Sequence, residues 1–214
     1  MPLGLLFVAV QLLDFLWTIL NLAGVEHTEI APGITAASPL NFVSYPFSHG
    51  LLAAVIWSGL VYLVMRYGVK IRGRLPARTA WIMAVAVFSH WVLDWFTHRA
   101  DLPLAGNESV KTGLGLWNHP AAALLLEAVI TIGGLALYLR RSRENGLGGK
   151  FGMILLMSIV LLFTVVGMMG GSPPPNVPIL AATALVMYVV IALLAGWLDR
   201  KRTVLEMPSK AKRA

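Results

Sequence analysis

Apolar residues in this chain neither alternate with polar ones nor mark out one face of a helix. They come in long runs, the pattern of segments surrounded by lipid rather than by a soluble core. Six windows are long and apolar enough to cross about 30 Å of hydrocarbon: residues 3–24, 47–66, 79–99, 118–139, 151–170 and 178–198. Turn-forming segments separate them. Pro32, Pro39 and Pro46 punctuate the first connection, and Arg66 to Arg78 form a basic hairpin. Pro103 and Gly106 interrupt the third connection, and Asn145-Gly146 with Gly148-Gly149 the fourth. Gly170-Gly171-Ser172-Pro173-Pro174-Pro175 makes a stiff fifth turn. The expected fold is all-α: a polytopic transmembrane bundle of six spans within residues 1–200, followed by a basic tail, 201–214. Met1-Pro2-Leu3 offers no basic leader ahead of the first run, which therefore reads as a true span rather than a cleaved signal.

Composition agrees with lipid as the solvent. Of the 214 residues, 57% are hydrophobic and 13% charged, about half the charge of a soluble domain. The net charge of +7 would suggest nucleic acid in a soluble protein. Here the basic residues sit between apolar runs, where topology and lipid headgroups account for them, so no nucleic-acid partner is expected. Of the 17 Lys and Arg residues, all but Arg99 and Lys111 fall in the second connection, the fourth connection or the C-terminal tail. By the positive-inside rule both termini are then cytoplasmic, and the connections at 25–46, 100–117 and 171–177 face outward. There are no cysteines, which removes disulfides and thiolate metal sites and leaves any soft-metal chemistry to histidine.

Ionisable side chains inside a span are costly and therefore point to function. The first span carries Gln11, Asp14, Thr18 and Asn21 at spacings that form one stripe. The second begins with Ser48-His49. The third carries His90, Asp94 and His98, four residues apart. The fourth opens with Asn118-His119 and holds Glu127 deeper in. The last two spans contain only Ser, Thr and Tyr and read as scaffold. At 1.5 Å per residue, Asp14, His90 and Glu127 all lie roughly 13–15 Å below the outer surface. Asp94 is a turn higher, with His49, His98 and His119 near the rim. Four helices thus direct acids and imidazoles at a funnel that opens outward.

Imidazole and carboxylate together are ligands for Zn²⁺ and related divalent metals. His90-x-x-x-Asp94 presents two of them on one helix face, and His49 and Asp14 are best placed to complete the set, with His119 as a further candidate. Three or four such ligands and one open position suffice to activate water. Glu127 or His98 could then carry the proton, and Gln11, Asn21, Ser48 and Ser89 could orient the ligands. The ordinary alternatives are an interfacial role for a lone histidine, to which His27 and His119 are most open, and a simple interhelical Asp–His hydrogen bond. Trp91 and Trp95 could line a pocket for an apolar tail, although helix packing explains them as well. Trp81 and Trp117 read as interface anchors.

Tyr45-Pro46-Phe47-Ser48-His49-Gly50-Leu51-Leu52 resembles the Thr-His-Ser-type motif of the bacterial membrane-bound metal-dependent hydrolases. Phe88-Ser89-His90-Trp91-Val92-Leu93-Asp94-Trp95-Phe96-Thr97 is similar to that family's Ser-His-x-x-x-Asp-x-x-Thr segment. The resemblance covers residues 40–120 and, more loosely, Asp14. It implies that His49, His90 and Asp94 are metal ligands, with Asp14 as the fourth. The expected function is hydrolysis of a lipid or lipid-linked ester, amide or phosphoester at the outer leaflet, with membrane lipids as the surroundings and Zn²⁺ as the metal. Two other readings use the same residues. One is a proton- or metal-ion transporter, which needs a polar path across both leaflets. The other is an accessory subunit, whose polar face would turn outward to a partner helix.

Overall fold

The structure is a computed structural model that describes residues 2–68, 76–169 and 172–205. Lys70, Arg72 and Arg74 of the basic hairpin, Gly170-Gly171 of the fifth turn, and Lys210, Lys212 and Arg213 of the tail lie outside the described residues. Among the described residues, seven α-helices run in the order α1 (Leu3–Val10), α2 (Leu12–Leu22), α3 (Leu51–Leu63), α4 (Ala77–Thr97), α5 (Pro120–Arg140), α6 (Gly146–Met169) and α7 (Val177–Asp199). A π-helical turn, Val64–Gly68, extends α3. With that turn, α3 and each of α4–α7 are long and apolar enough to cross a membrane, and α1 with α2 would make a sixth crossing. The chain is a multi-pass membrane protein built as an all-α bundle.

The first span departs from the expectation of one continuous helix. It breaks at Gln11, and α1 and α2 meet at 56°. The expected polar stripe is divided in consequence. Gln11 sits at the break and Asp14 faces the bundle, whereas Thr18 and Asn21 bond back to the Phe15 and Trp17 carbonyls of their own helix. The second span starts later than the apolar run does: Ser48 and His49 form a turn ahead of Gly50, the N-cap of α3. His98, placed within the third span by the sequence, instead caps α4.

Three two-stranded ribbons decorate the helix ends, which the apolar runs do not signal. β1 (His27–Ile30) pairs antiparallel with β2 (Leu40–Ser44), so the proline-marked first loop is a β-hairpin. β3 (Leu102–Pro103) pairs with β4 (Lys111–Thr112). Both lie at one end of the bundle, where Ala37 donates to the Trp117 carbonyl and Leu52 to that of Leu104. At the opposite end β5 (Ser142–Glu144) pairs with β6 (Arg202–Val204). There Arg202 donates to the Ser142 hydroxyl and carbonyl, both at 2.8 Å, and its guanidinium lies over the Tyr138 ring.

Packing is uneven. α3 lies on α4, and α1 lies against both α4 and α7. The core between them is formed by Leu13, Ala54, Met83, Val87 and Trp91. The α5–α6 pair is looser: Ala123 is the one buried residue of α5. α1 approaches α7 closely because both are small at the crossing, where a Cβ on Gly4 would lie 2.5 Å from the Ala192 carbonyl oxygen and 3.0 Å from the Gly196 Cα. Small residues of this kind let membrane helices bring their backbones together. Gly4→Val should therefore force the helices apart and cost about 1–3 kcal/mol, read as a lower midpoint of thermal unfolding in detergent. An unchanged midpoint would mean that the crossing carries little of the bundle's stability.

Candidate metal centre

Asp14 on α2, His49 in the turn before α3, and His90 and Asp94 on α4 converge on one point. His49 Nε2 is 3.3 Å from Asp14 Oδ1 and 3.5 Å from Asp94 Oδ2. His90 Nε2 is 3.6 Å from the same Asp14 oxygen and 3.3 Å from the same Asp94 oxygen. Asp14, His49 and His90 offer ligand atoms that all lie within 4.8 Å of one another, a group that could hold a metal ion. Asp94 lies outside that trio but contacts both imidazoles. Its Oδ2 is buried and has no hydrogen-bond partner.

These distances discriminate between two chemistries. An imidazolium–carboxylate pair closes to about 2.7–2.9 Å, shorter than any of the four separations. Each Nε2 also faces two carboxylates, although it has one proton to donate at most. A tetrahedral ion about 2.0–2.1 Å from each ligand sets neighbouring ligand atoms about 3.3 Å apart. Asp14, His49 and His90 are thus a donor set that could hold a divalent cation. The two carboxylates also carry charge that such a cation would balance.

The His49 turn is held on every side. Glu26, 2% exposed, accepts from the Phe47 and Ser48 amides, each at 2.9 Å, and from the Ser48 hydroxyl at 2.6 Å. Ser48 Oγ is 2.8 Å from His49 Nδ1, which leaves Nε2 to the cluster, the arrangement that fixes the ring of a ligating histidine. The Trp57 and Trp91 indoles donate to the Phe47 and His49 carbonyls, each at 2.9 Å. Gly50 permits the turn because a Cβ there would lie 2.6 Å from the Pro46 carbonyl oxygen. Glu26 is delivered by the end of α2. Gly24, with φ +71°, closes a Schellman motif in which its amide bonds the Asn21 carbonyl and the Val25 amide bonds Leu20. Burial pushes the Glu26 carboxyl up, with the hydrogen bonds from Ser48 opposing it.

Asp14 and His90 have their own supports. Gln11 donates to the second Asp14 oxygen, and Tyr188 on α7 reaches both Asp14 and Gln11. The His90 ring is within hydrogen-bonding reach of the Val10 backbone, at the step where the α1–α2 break interrupts the helix. Ser89 and Asn21, two of the orienting candidates, bond locally and do not support the cluster.

The remaining candidates are dispersed. Glu127 is half-buried on α5 and within electrostatic range of Asp94 and His90. His98, 3% exposed, lies farther toward the hairpin end, its ring centroid 6.4 Å from that of His49. Its Nδ1 is 3.2 Å from Asp101 Oδ1, and Trp117 and Phe42 pack on the ring. His119 is exposed at the N-cap of α5 and lies outside the Asp14–His49–His90 group. Trp95 donates to Thr112 and not to the cluster. Glu26, Tyr188 and Asp101 escape sequence reasoning. Two of them stand in connections without helical periodicity, and Tyr188 is a single hydroxyl in an apolar span. Comparison with known proteins finds no matching family model, no similar curated protein and no similar solved structure.

Two outcomes follow from these supports. Ser48→Ala and Glu26→Gln should each weaken metal affinity about 10–100-fold without unfolding the protein, read by competition with a chelator. Affinity equal to wild type in both would show that the His49 ring is fixed by packing alone. Asp101 supplies a pH test. Burial alone would raise its carboxyl, but the hydrogen bonds from His98, Tyr45 and Arg99 outweigh that and leave it below its ordinary 3.8. A carboxylate depressed in the folded state stabilises above its unfolded pKa, and that contribution is lost as pH falls through the folded value. Asp101→Asn should therefore lower the thermal midpoint at pH 7, and its gap to wild type should narrow as pH falls below about 4.

Proposed function

We propose that this chain is a membrane-embedded metal-dependent hydrolase, of the kind implied by its resemblance to the bacterial membrane-bound metal-dependent hydrolases. The observation that carries the reading is the spacing of Asp14, His49, His90 and Asp94. Each histidine Nε2 lies 3.3–3.6 Å from an oxygen of both aspartates, and the Asp94 oxygen is buried without a hydrogen-bond partner. All four residues hold the ion, and the nitrogen and oxygen donors favour zinc over harder cations. When bound, such a metal supplies a Lewis acid and lowers the pKa of an adjacent water.

The side chains around the cluster do the rest. Ser48 and Glu26 keep His49 Nε2 on the site, Gln11 and Tyr188 hold Asp14, and α4 sets His90 and Asp94 one turn apart. Glu127 takes a proton from the attacking water onto its carboxylate and returns it to the leaving oxygen or nitrogen. Water adds to the carbonyl or phosphoryl centre, the bond to the leaving group breaks, and no redox partner is needed. The site opens to the outer leaflet of an inner membrane, so the substrate is a lipid or lipid-linked ester, amide or phosphoester.

Ion transport fits less well. Below the cluster, toward the α3–α4 connection, the described residues that pack together include Ala54, Met65, Ala80, Met83, Ala86 and Val87, and the buried Ser58 hydroxyl among them is spent on the Ala54 carbonyl.

Elemental mass spectrometry of the purified protein tests the proposal. About one zinc, manganese or iron per chain is expected, falling at least about tenfold in His49→Ala and Asp94→Ala as ligands are removed. Glu127→Gln should keep the metal and lower the rate of lipid ester or phosphoester hydrolysis by about 10²–10⁴-fold, the usual share of a general acid–base. Wild-type protein that binds no metal, even after metal is added, would overturn the reading.

A further inference from the structure

An apolar cavity of about 440 Å³ lies between α1, α5 and α6, within the size range of ligand sites. Its walls include Leu6 and Val10 of α1, Leu135 of α5, and Met153 and Met157 of α6. Gly134 keeps the α5 wall open, since a Cβ there would meet nothing within 4 Å. Polar groups stand at its two ends. Gln11, which also donates to Asp14, marks one. Tyr138 marks the other, with its hydroxyl 3.0 Å from Asp199 Oδ1. Gln11 thus joins one end of the cavity to the Asp14 side chain, and from there the cavity runs away from the hairpin end for the length of α1, about 12 Å at 1.5 Å per residue.

We infer that this groove holds an acyl chain of the lipid substrate. Two observations carry it. Gln11 belongs both to the groove and to the cluster, so a molecule can have its head at one and its chain in the other. The loosely packed α5, which has one buried residue, leaves this side of the bundle open to lipid. The inference rests on the hydrolase reading for the identity of the head-group reaction, but chain binding can be observed separately.

The test uses full-length protein in nanodiscs, with palmitic acid carrying a terminal diazirine as the probe. Labelled residues are mapped by peptide mass spectrometry, and metal content is measured on the same samples. Gly134→Leu projects a side chain into the groove. Gly133→Leu makes the same change one residue away, outside the groove lining and also in open space. The expected result is labelling of the α6 segment containing Met153 and Met157 that falls at least tenfold in Gly134→Leu, persists in Gly133→Leu, and leaves metal content equal in all three. Labelling that is unaffected by Gly134→Leu, or spread evenly over the lipid-facing helices, would show bulk lipid only and overturn the inference. Wild-type protein that binds metal but takes no label at the groove overturns it while the hydrolase reading stands. Gly134-dependent labelling without bound metal supports the acyl site and overturns the hydrolase reading.

Discussion

Two carboxylates held among membrane helices are the constraint around which this bundle is arranged. Removing a charged carboxylate from water costs several kcal/mol unless partners compensate it. Asp14 and Asp94 are each within 3.6 Å of two imidazoles, yet one Asp94 oxygen has no hydrogen-bond partner. Asp14, His49 and His90 there form a group that could hold a shared cation. The irregular features of the backbone lie next to the same point. The α1–α2 break brings Gln11 to Asp14 and the Val10 backbone to His90. The Schellman end of α2 brings Glu26 under the Ser48-His49 turn. Neither would be needed to pack apolar helices.

The bundle divides its labour along its packing. α1 to α4 and α7 are tightly joined, and they supply all four converging ligand residues together with Tyr188. Ligands must be held within fractions of an ångström, and rigid neighbours do this best. The α5–α6 pair is loosely attached and supplies Glu127 and a wall of the apolar groove. If Glu127 carries a proton and the groove a substrate chain, as proposed above, a wall that can move suits both. The cluster therefore lies at the boundary between the stiff and the loose parts of the molecule.

Much of this was legible in the chain. Long apolar runs located the helices, because lipid solvation demands length and apolarity that little else produces. The spacing of His90 and Asp94 was equally legible, since helical geometry places them on one face. Depth along the helix axis could be counted in residues, but rotation about the axis could not. That is why Asp14 reaches the cluster while Thr18 and Asn21, on the same expected stripe, bond to their own helix. It is also why His119, counted at the rim, stands exposed. Glu26 and Asp101 were invisible for another reason: each acts through residues about twenty to sixty positions away, a relation no local spacing encodes. The break at Gln11 carries neither proline nor glycine. The sequence around it reads as unbroken helix, and only the tertiary contacts of Gln11 and Val10 account for it.

The hairpin end bears on how a substrate reaches the cluster. Tyr45 ties the two acid–imidazole networks together: its carbonyl accepts from the His49 amide, and its hydroxyl donates to Asp101, 2.9 Å away. Phe42, Tyr45, His98 and Trp117 pack ring against ring above the cluster, and Trp17 joins β1 through Thr28. Opening a path through this layer would break buried hydrogen bonds and separate several aromatic rings at once, each at a cost of its own. Separating α5 from α1 would break far less, because α5 buries one residue and the space beside it is already apolar and open. The side that disturbs least structure on opening is lateral, toward the lipid, where the groove meets Gln11 beside Asp14.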